Sequence, residues 1–188
     1  GGGHMKIVRF LTPRAWITAG VFVISGLGAL SHFVFELSGG SVAAAVFTPV
    51  NESVWEHLKM AYWPMLVWWI AGYYVLSRNK KITPAAWFCA LAGAELFCLL
   101  FITGFFYAYT GALGIQSVAA DIASFFLAVA LSQAFGFHLY RYSKARPRRL
   151  IVCVAALTVM AAAFIVFTFA PPRVPLFFDT SAGTYGIP

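Results

Sequence analysis

The stretch PVNESVWEHLKMAYW, residues 49–63, places several ionisable side chains at the start of a long apolar run that continues to Ser77. A helix of that length can span the ~30 Å hydrocarbon core of a bilayer. Of the 188 residues, 61% are hydrophobic and 10% are charged, whereas soluble domains average about 25% charged residues. The stretch therefore predicts one end of a membrane-spanning helix that carries polar chemistry.

Five such apolar segments predict an all-α fold, a polytopic integral membrane helical bundle with five transmembrane helices. The segments are Ala15–Leu37, Val54–Ser77, Pro84–Tyr107, Gln116–Tyr140 and Leu150–Ala170. We interpret residues 1–4 as a cloning remnant and residues 5–170 as the transmembrane domain. Residues 171–188 are expected to form an extracytoplasmic tail that folds back on the outer face.

The basic residues predict the orientation of the chain. Eleven of the thirteen fall before the first helix or in the loops after the second and fourth. They are Lys6, Arg9, Arg14, Arg78, Lys80, Lys81, Arg141, Lys144, Arg146, Arg148 and Arg149. The positive-inside rule then puts the N-terminus inside and the C-terminus outside, in the bacterial cytoplasmic membrane. Because the net charge of +7 lies in short loop clusters, we expect the lipid bilayer and no nucleic acid as a partner.

The acidic residues and two histidines show the opposite bias. Given this topology, five of the six acids fall in the outer layer, and only Glu95 lies elsewhere, near the middle of the third helix. The outer groups are His32, Glu36, Glu52, Glu56, His57, Asp121 and Asp179. Ionisable groups within spans cost about 2.5–3.5 kcal/mol each on insertion scales, so a shared layer favours a function.

The spacing of these groups favours a metal site. Residues four apart share a helix face, which brings Glu52 near Glu56 and His32 near Glu36. Imidazole and carboxylate ligands suit a divalent metal, zinc first and then iron or manganese. We predict metal ligands at His32, Glu56 and His57, and catalytic residues at Glu52, Glu36 and Asp121.

Two alternatives to a metal site remain open. The outer layer also fits a metal-free polar network, in which Lys59, three residues beyond Glu56, neutralises one of the acids. It also fits plain helix capping, because Ser53 and Glu56 have the spacing of a capping box. In that case Trp55 and Trp63 would be interfacial anchors.

The remaining polar positions lie within the predicted spans and in the tail. Glu95 is expected to face the bundle, opposite a stripe formed by Asp121, Ser124 and Ser132, while Gln133 points about 120° away from Asp121. Both a structural hydrogen bond and a proton relay fit this arrangement. In the tail, Asp179 or Tyr185 is expected to supply a polar group to the outer site.

The motifs also carry two resemblances. The H-x3-E of His32 and Glu36, the PVNESVWEHLKM of residues 49–60 and the closing PLFFDTSAGTYGIP resemble a family of small bacterial five-helix membrane proteins. That likeness spans the chain and implies a topology. Asn51 to Val54 with His57 are similar to the N-E-T/S-V…H signature of the progestin and adiponectin receptors, related to the alkaline ceramidases. The resemblance to those seven-helix proteins implies a zinc histidine, although the spacing differs and no later H-x3-H exists here.

Three functions follow as hypotheses. The first is a membrane-embedded, metal-dependent hydrolase that acts on a lipid or lipid-linked substrate at the outer leaflet. The second is a small-cation or proton-coupled transporter centred on Glu95, for which a homodimer would supply the missing repeat. The third is a non-catalytic membrane scaffold, in which the polar layer only holds helices together.

Overall fold

The computed structural model describes residues 12–78, 82–143 and 146–187. In these ranges the chain forms seven helices, namely α1 (Pro13–Ser31), α2 (Val34–Leu37), α3 (Val42–Phe47), α4 (Val54–Ser77), α5 (Pro84–Leu113), α6 (Val118–Tyr142) and α7 (Pro147–Phe169). A 3-10 turn at Pro175–Phe177 leads into an antiparallel hairpin of β1 (Phe178–Asp179) and β2 (Thr184–Tyr185). The predicted all-α class is confirmed. The proposed remnant at residues 1–4 and the basic residues Lys6, Arg9, Lys80, Lys81 and Lys144 lie outside the described residues.

Four of the described helices, α1, α5, α6 and α7, are long and apolar enough to cross a membrane. The chain is therefore a membrane protein by the length and composition of its helices. Helix α4 has 24 residues, which is long enough, but it contains Glu56, His57 and Lys59 and many Trp and Tyr residues. Five crossings and their orientation stay predictions.

Helix α4 packs between α1 and α5, and two of its four indole groups, those of Trp68 and Trp69, are hydrogen-bonded within the bundle. Trp16 and Trp68 stack with ring centroids 4.4 Å apart, and each indole N–H donates to the other residue's carbonyl oxygen at 3.2 Å. The Trp87 indole N–H donates to the carbonyl oxygen of the fully buried Trp69 at 2.8 Å. This internal bonding lets a less apolar helix occupy the middle of the bundle.

Two predicted helix ends differ from the structure. The first predicted helix, Ala15–Leu37, is interrupted at His32, so that α2 forms a separate turn after it. Helix α5 extends to Leu113 rather than Tyr107 and ends at Gly114, whose φ of +66° gives a left-handed cap. In both cases local turn geometry decides the boundary, which hydropathy alone does not encode.

Gly28 sets the distance between α1 and its neighbours. A Cβ atom at this position would overlap the Met60 carbonyl oxygen and lie 2.6 Å from Cζ of Phe125. Pro64 has no N–H to bond that carbonyl, so the oxygen is free at the point where α1 crosses α4. The contact lies one turn before His32, and it therefore brings the end of α1 close to the start of α4.

Candidate metal centre

Three side chains converge where α1 ends and α4 begins. His32 caps α1, Glu52 lies in the loop before α4, and His57 lies in the first turns of α4. We call these residues the His–Glu–His cluster. Nε2 of His32 is 3.5 Å from Oε1 of Glu52, and Nε2 of His57 is 3.4 Å from Oε2 of Glu52. One ligand atom from each residue lies within 4.8 Å of the others.

These distances are longer than direct charge-assisted hydrogen bonds and are compatible with a coordinated ion. A charge-assisted N–H···O bond is about 2.7–2.9 Å long, which is clearly shorter than either contact of Glu52. Two ligands that lie about 2.1 Å from a tetrahedral zinc ion are separated by about 3.4 Å. The spacings of 3.4 and 3.5 Å are close to this value, although each involves a different carboxylate oxygen of Glu52.

The ring of His57 is held by the backbone in one tautomer. Its Nδ1 atom lies 2.9 Å from the carbonyl oxygen of Ser53, one turn earlier. A carbonyl oxygen only accepts hydrogen bonds, so Nδ1 carries the hydrogen. In the neutral ring, Nε2 then presents a lone pair towards the carboxylate of Glu52, where a bound cation would be coordinated by both groups. In the protonated ring, the Nε2–H faces the carboxylate as an ion pair instead. Metal-binding histidines commonly have this arrangement, with the other ring nitrogen bonded to a carbonyl.

Glu52 is present as a carboxylate over the whole physiological pH range. The nearby imidazole of His32, followed by that of His57, lowers the pKa of the Glu52 carboxyl far below its ordinary value, although partial burial acts in the opposite direction. Its side chain is about half exposed, at 52%. The cluster thus offers one negative charge that is open to solvent on one side.

A cavity of about 320 Å³ adjoins the cluster. The lining residues are His32, Phe33, Phe35, Glu36, Pro49, Val50, Asn51 and Glu52. Glu36 is exposed and is not part of the cluster, so its carboxylate is free to act on a molecule bound in the cavity. Two candidate ligands and one free acid therefore share a space that is large enough for the polar part of a small amphiphile.

Glu56, which we predicted to be a metal ligand, lies outside the His–Glu–His cluster. Its Oε2 accepts a hydrogen bond from Lys59 Nζ at 2.5 Å and one from the Val50 N–H at 3.1 Å. The residue is 3% exposed. Glu52, which we predicted to be catalytic, lies between the two histidines instead.

Lys59 joins three parts of the chain through one ammonium group. Besides Glu56, its Nζ donates to the carbonyl oxygen of Ala45 in α3 at 2.8 Å and to Oγ1 of Thr168 in α7 at 2.6 Å. The side chain is fully buried. Its three strong donors are all used, so we assign it a structural role beneath the loop that carries Glu52.

Asp121 lies near the cluster without joining it. Its Oδ1 accepts a hydrogen bond from the Tyr109 hydroxyl at 2.7 Å. Its negative charge also interacts electrostatically with His57. Its carboxylate is in the first turn of α6, as the sequence predicted, and it is not among the three clustered ligands.

The C-terminal segment contacts the same loop. Asp179 is 3% exposed, and its Oδ2 accepts the backbone N–H of Glu52 at 3.1 Å. The side-chain amide of Asn51 donates to the carbonyl oxygen of Gly186 at 2.7 Å. Asp179 therefore acts on the loop backbone, and the exposed Tyr185 packs against the ring of Phe178 instead.

Glu95 is fully buried in α5, and neither carboxylate oxygen has a hydrogen-bond partner among the described residues. The stripe predicted to pair with it is bonded elsewhere. The Ser132 hydroxyl donates to the Val129 carbonyl oxygen at 2.9 Å, and the Ser124 hydroxyl donates to the Asp121 carbonyl oxygen at 2.8 Å. Glu95 faces the bundle, as predicted, but without those partners.

Three contributors to this region were not found from the sequence. The Ser53 carbonyl oxygen orients His57, Tyr109 holds Asp121, and Thr168 bonds Lys59. Only the contact between Ser53 and His57 could have been expected from the local sequence, because a residue four positions before a histidine on a helix can present its carbonyl oxygen to the ring. The other two depend on contacts between helices.

Comparison with known proteins gives a family without an activity. The model described as "Family of unknown function (DUF6512)" matches residues 5–187. No curated protein and no solved structure matches the chain. The comparisons provide no link to the progestin and adiponectin receptors.

Proposed function

The chain belongs to this family of unknown function, and we propose from the geometry of the His–Glu–His cluster that it is a membrane-embedded, metal-dependent hydrolase. Its substrate is a lipid or lipid-linked molecule at the outer leaflet. The observation that carries the proposal is the pair of contacts from Glu52 to two imidazoles at metal-ligand spacing.

The type and number of ligands support a catalytic centre over a structural one. Structural zinc sites use four protein ligands, whereas catalytic sites use three and leave a position for water or substrate. Two histidines and one glutamate are one of the known catalytic sets. Here the exposed side of Glu52 opens on the 320 Å³ cavity, where a substrate would bind.

Bound at the cluster, zinc would act as a Lewis acid and increase the acidity of a water molecule. Glu36 is the proposed general base, because its carboxylate lines the cavity and is not needed as a ligand. Phe33 and Leu37 are 55% and 84% exposed beside the cavity, which suits an acyl chain that enters from the bilayer.

We further propose five crossings, with the N-terminus inside and the C-terminus outside, in the bacterial cytoplasmic membrane. With five crossings in series, Arg14, Arg78, Arg141 and Arg149 would lie at one end of the bundle, which the positive-inside rule makes cytoplasmic. The His–Glu–His cluster and the C-terminal segment would then lie at the outer leaflet.

Elemental analysis of the detergent-purified protein tests the metal. We expect about one zinc, iron or manganese ion per chain, loss of that ion in His32→Ala and His57→Ala, and retention in His138→Ala. His138 is a matched control because it lies near the opposite end of α6 and contacts Tyr142. If the purified protein still lacks metal after incubation with all three ions, the cluster is a polar network of a scaffold protein.

Hydrolysis is tested with fluorogenic acyl esters and acyl amides in mixed detergent–lipid micelles. The wild type should release the fluorophore, a chelator should stop the release, and the His57→Ala variant should be inactive. A metal-loaded wild type that cleaves neither class would contradict the hydrolase proposal while leaving the metal site in place.

A second candidate function is proton or small-cation transport, which the unpartnered carboxylate of Glu95 favours. Buried polar groups without a partner are rare and call for an explanation, such as an exchanging proton or ion. Proton flux into vesicles containing wild type or Glu95→Gln tests this function. Equal fluxes would exclude it.

A further inference from the structure

We propose that Asp179 is a positioning residue for Glu52, and that residues 171–187 therefore form part of the metal centre although they supply no ligand. This inference rests on the proposed function, because the property that Asp179 controls is the affinity of the cluster for metal.

The first observation is the bonding of Asp179 itself. Oδ2 accepts the backbone N–H of Glu52 across 127 positions of sequence. Oδ1 accepts the N–H groups of Ser181 and Ala182, at 2.8 and 3.1 Å, and the Ser181 hydroxyl at 2.5 Å. The tail thus holds Oδ1 of Asp179 in place, and Oδ2 holds the backbone of Glu52. Glu52 is the residue that lies between the imidazoles of His32 and His57.

The second observation is that both neighbours of Glu52 are held as well. The Asn51 amide donates to the Gly186 carbonyl oxygen, and its Oδ1 accepts the Ser53 N–H at 2.9 Å. Ser53 is also the residue whose carbonyl oxygen orients His57. A single loop, anchored to the tail at two points, therefore sets the positions of two of the three proposed ligands.

The third observation is that the tail is docked by other contacts too. Phe177 is 6% exposed and lies against Trp55 and Phe167, with ring centroids 4.8 and 5.3 Å away. Loss of the Asp179 carboxylate should leave these aromatic contacts in place. The effect of Asp179 on the cluster can therefore be separated from detachment of the tail.

Positioning of this kind has a thermodynamic consequence. If the docked tail raises the affinity for metal, then bound metal must stabilise the docked tail by the same factor. Residues that orient metal ligands without binding the ion typically contribute 10–100-fold to affinity.

Zinc affinity should be measured by chelator competition in the wild type, in Asp179→Ala and in Tyr185→Phe. Tyr185 is the matched control, because it lies in the same hairpin and packs on Phe178. We expect Asp179→Ala to weaken affinity about 10–100-fold, with one ion still bound at saturation. The control should stay within about twofold of wild type. Equal affinities of the wild type and Asp179→Ala would overturn the inference.

A metal-free measurement separates this inference from the proposed function. The imidazole nitrogens of His57 can be followed by ¹⁵N NMR in zinc-free protein, where Glu52→Gln defines the shift caused by loss of the carboxylate. We expect Asp179→Ala to reproduce part of that shift. If Asp179→Ala leaves the His57 nitrogens as in the wild type, Asp179 does not position Glu52, whether or not zinc binds.

Discussion

Nε2 of His57 lies 3.4 Å from Oε2 of Glu52, while Nδ1 of the same ring is bonded to the Ser53 carbonyl oxygen. The polar residues of the motif N-E-S-V-x-E-H therefore make separate contacts. Asn51 receives the Ser53 N–H, Glu52 and His57 face each other, and Glu56 is directed to Lys59. The adjacent residues Glu56 and His57 point apart and therefore serve different sites.

Glu52→Gln and Glu36→Gln should have different effects if the first residue is a ligand and the second is a base. An amide is a weaker ligand than a carboxylate, so we expect Glu52→Gln to lose more than the 10–100-fold in zinc affinity expected for an orienting residue. Glu36→Gln should keep its zinc and lose about 10²–10⁴-fold in hydrolysis rate.

Elemental analysis and the micelle assay, performed on the same preparations, distinguish these two roles. Loss of zinc from Glu36→Gln, or full retention in Glu52→Gln, would reverse the assignment of ligand and base. A Glu36→Gln variant that keeps both its zinc and the wild-type rate would remove Glu36 from the mechanism.

Lys59→Met should destabilise the protein more than a double change of Lys59→Met with Glu56→Gln. The single change leaves the Glu56 carboxylate buried without its cation, at a cost of about 3–5 kcal/mol. The double change removes both charges and should recover most of that loss. Equilibrium unfolding in mixed micelles measures both, and equal losses would mean that the bonds of Lys59 to Ala45 and Thr168, rather than the ion pair, dominate.

The membrane-bundle class was predictable because hydropathy and helix length are local properties of the sequence. The break at His32 and the extension of α5 to Leu113 were not, since they depend on turn geometry at a few residues. Helix α4 shows the same limit. Its aromatic residues lower its hydropathy, yet Trp68 and Trp69 bond to partners on other helices, which no local window can detect.

The site was predicted as a layer, but its internal pairing was not. Topology placed His32, Glu52 and His57 at one depth, and the structure brings them together. Lys59 bonds Glu56 together with groups from α3 and α7, which leaves Glu52 as the glutamate that lies beside the two histidines. Those bonds join residues up to 109 positions apart, so helix spacing alone could not reveal them.

Acid should break the contact between Asp179 and the Glu52 N–H only at pH values below the ordinary range of aspartate. Burial alone would raise the pKa of Asp179, but the hydrogen bonds from the Ser181 hydroxyl and from the N–H groups of Glu52, Ala182 and Ser181 lower it below 3.8. Because the folded pKa is depressed, the contribution of Asp179 is complete above the unfolded value and disappears as the pH falls through the folded one.

The ¹⁵N NMR shift of the Glu52 amide, recorded in zinc-free protein, follows the loss of this contact between about pH 5 and pH 2. In the wild type the shift should stay constant between about pH 5 and pH 4 and change only well below pH 4. Asp179→Asn should show little further change across the same range. A wild-type transition near pH 5 would contradict the depressed pKa of Asp179.

Glu95→Met should stabilise the protein, because it replaces two unpartnered oxygens with a side chain of similar size that needs no hydrogen bond. Each buried unsatisfied polar group costs about 1–3 kcal/mol, so we expect a gain of that order in the free energy of unfolding. Gln133→Met is the comparison, since it removes one unpartnered amide nitrogen but leaves the Trp69 indole without its acceptor, and it should stabilise less. If Glu95→Met destabilises the protein, then Glu95 binds an internal water or ion. Together with reduced proton flux in Glu95→Gln, that result would favour transport over hydrolysis.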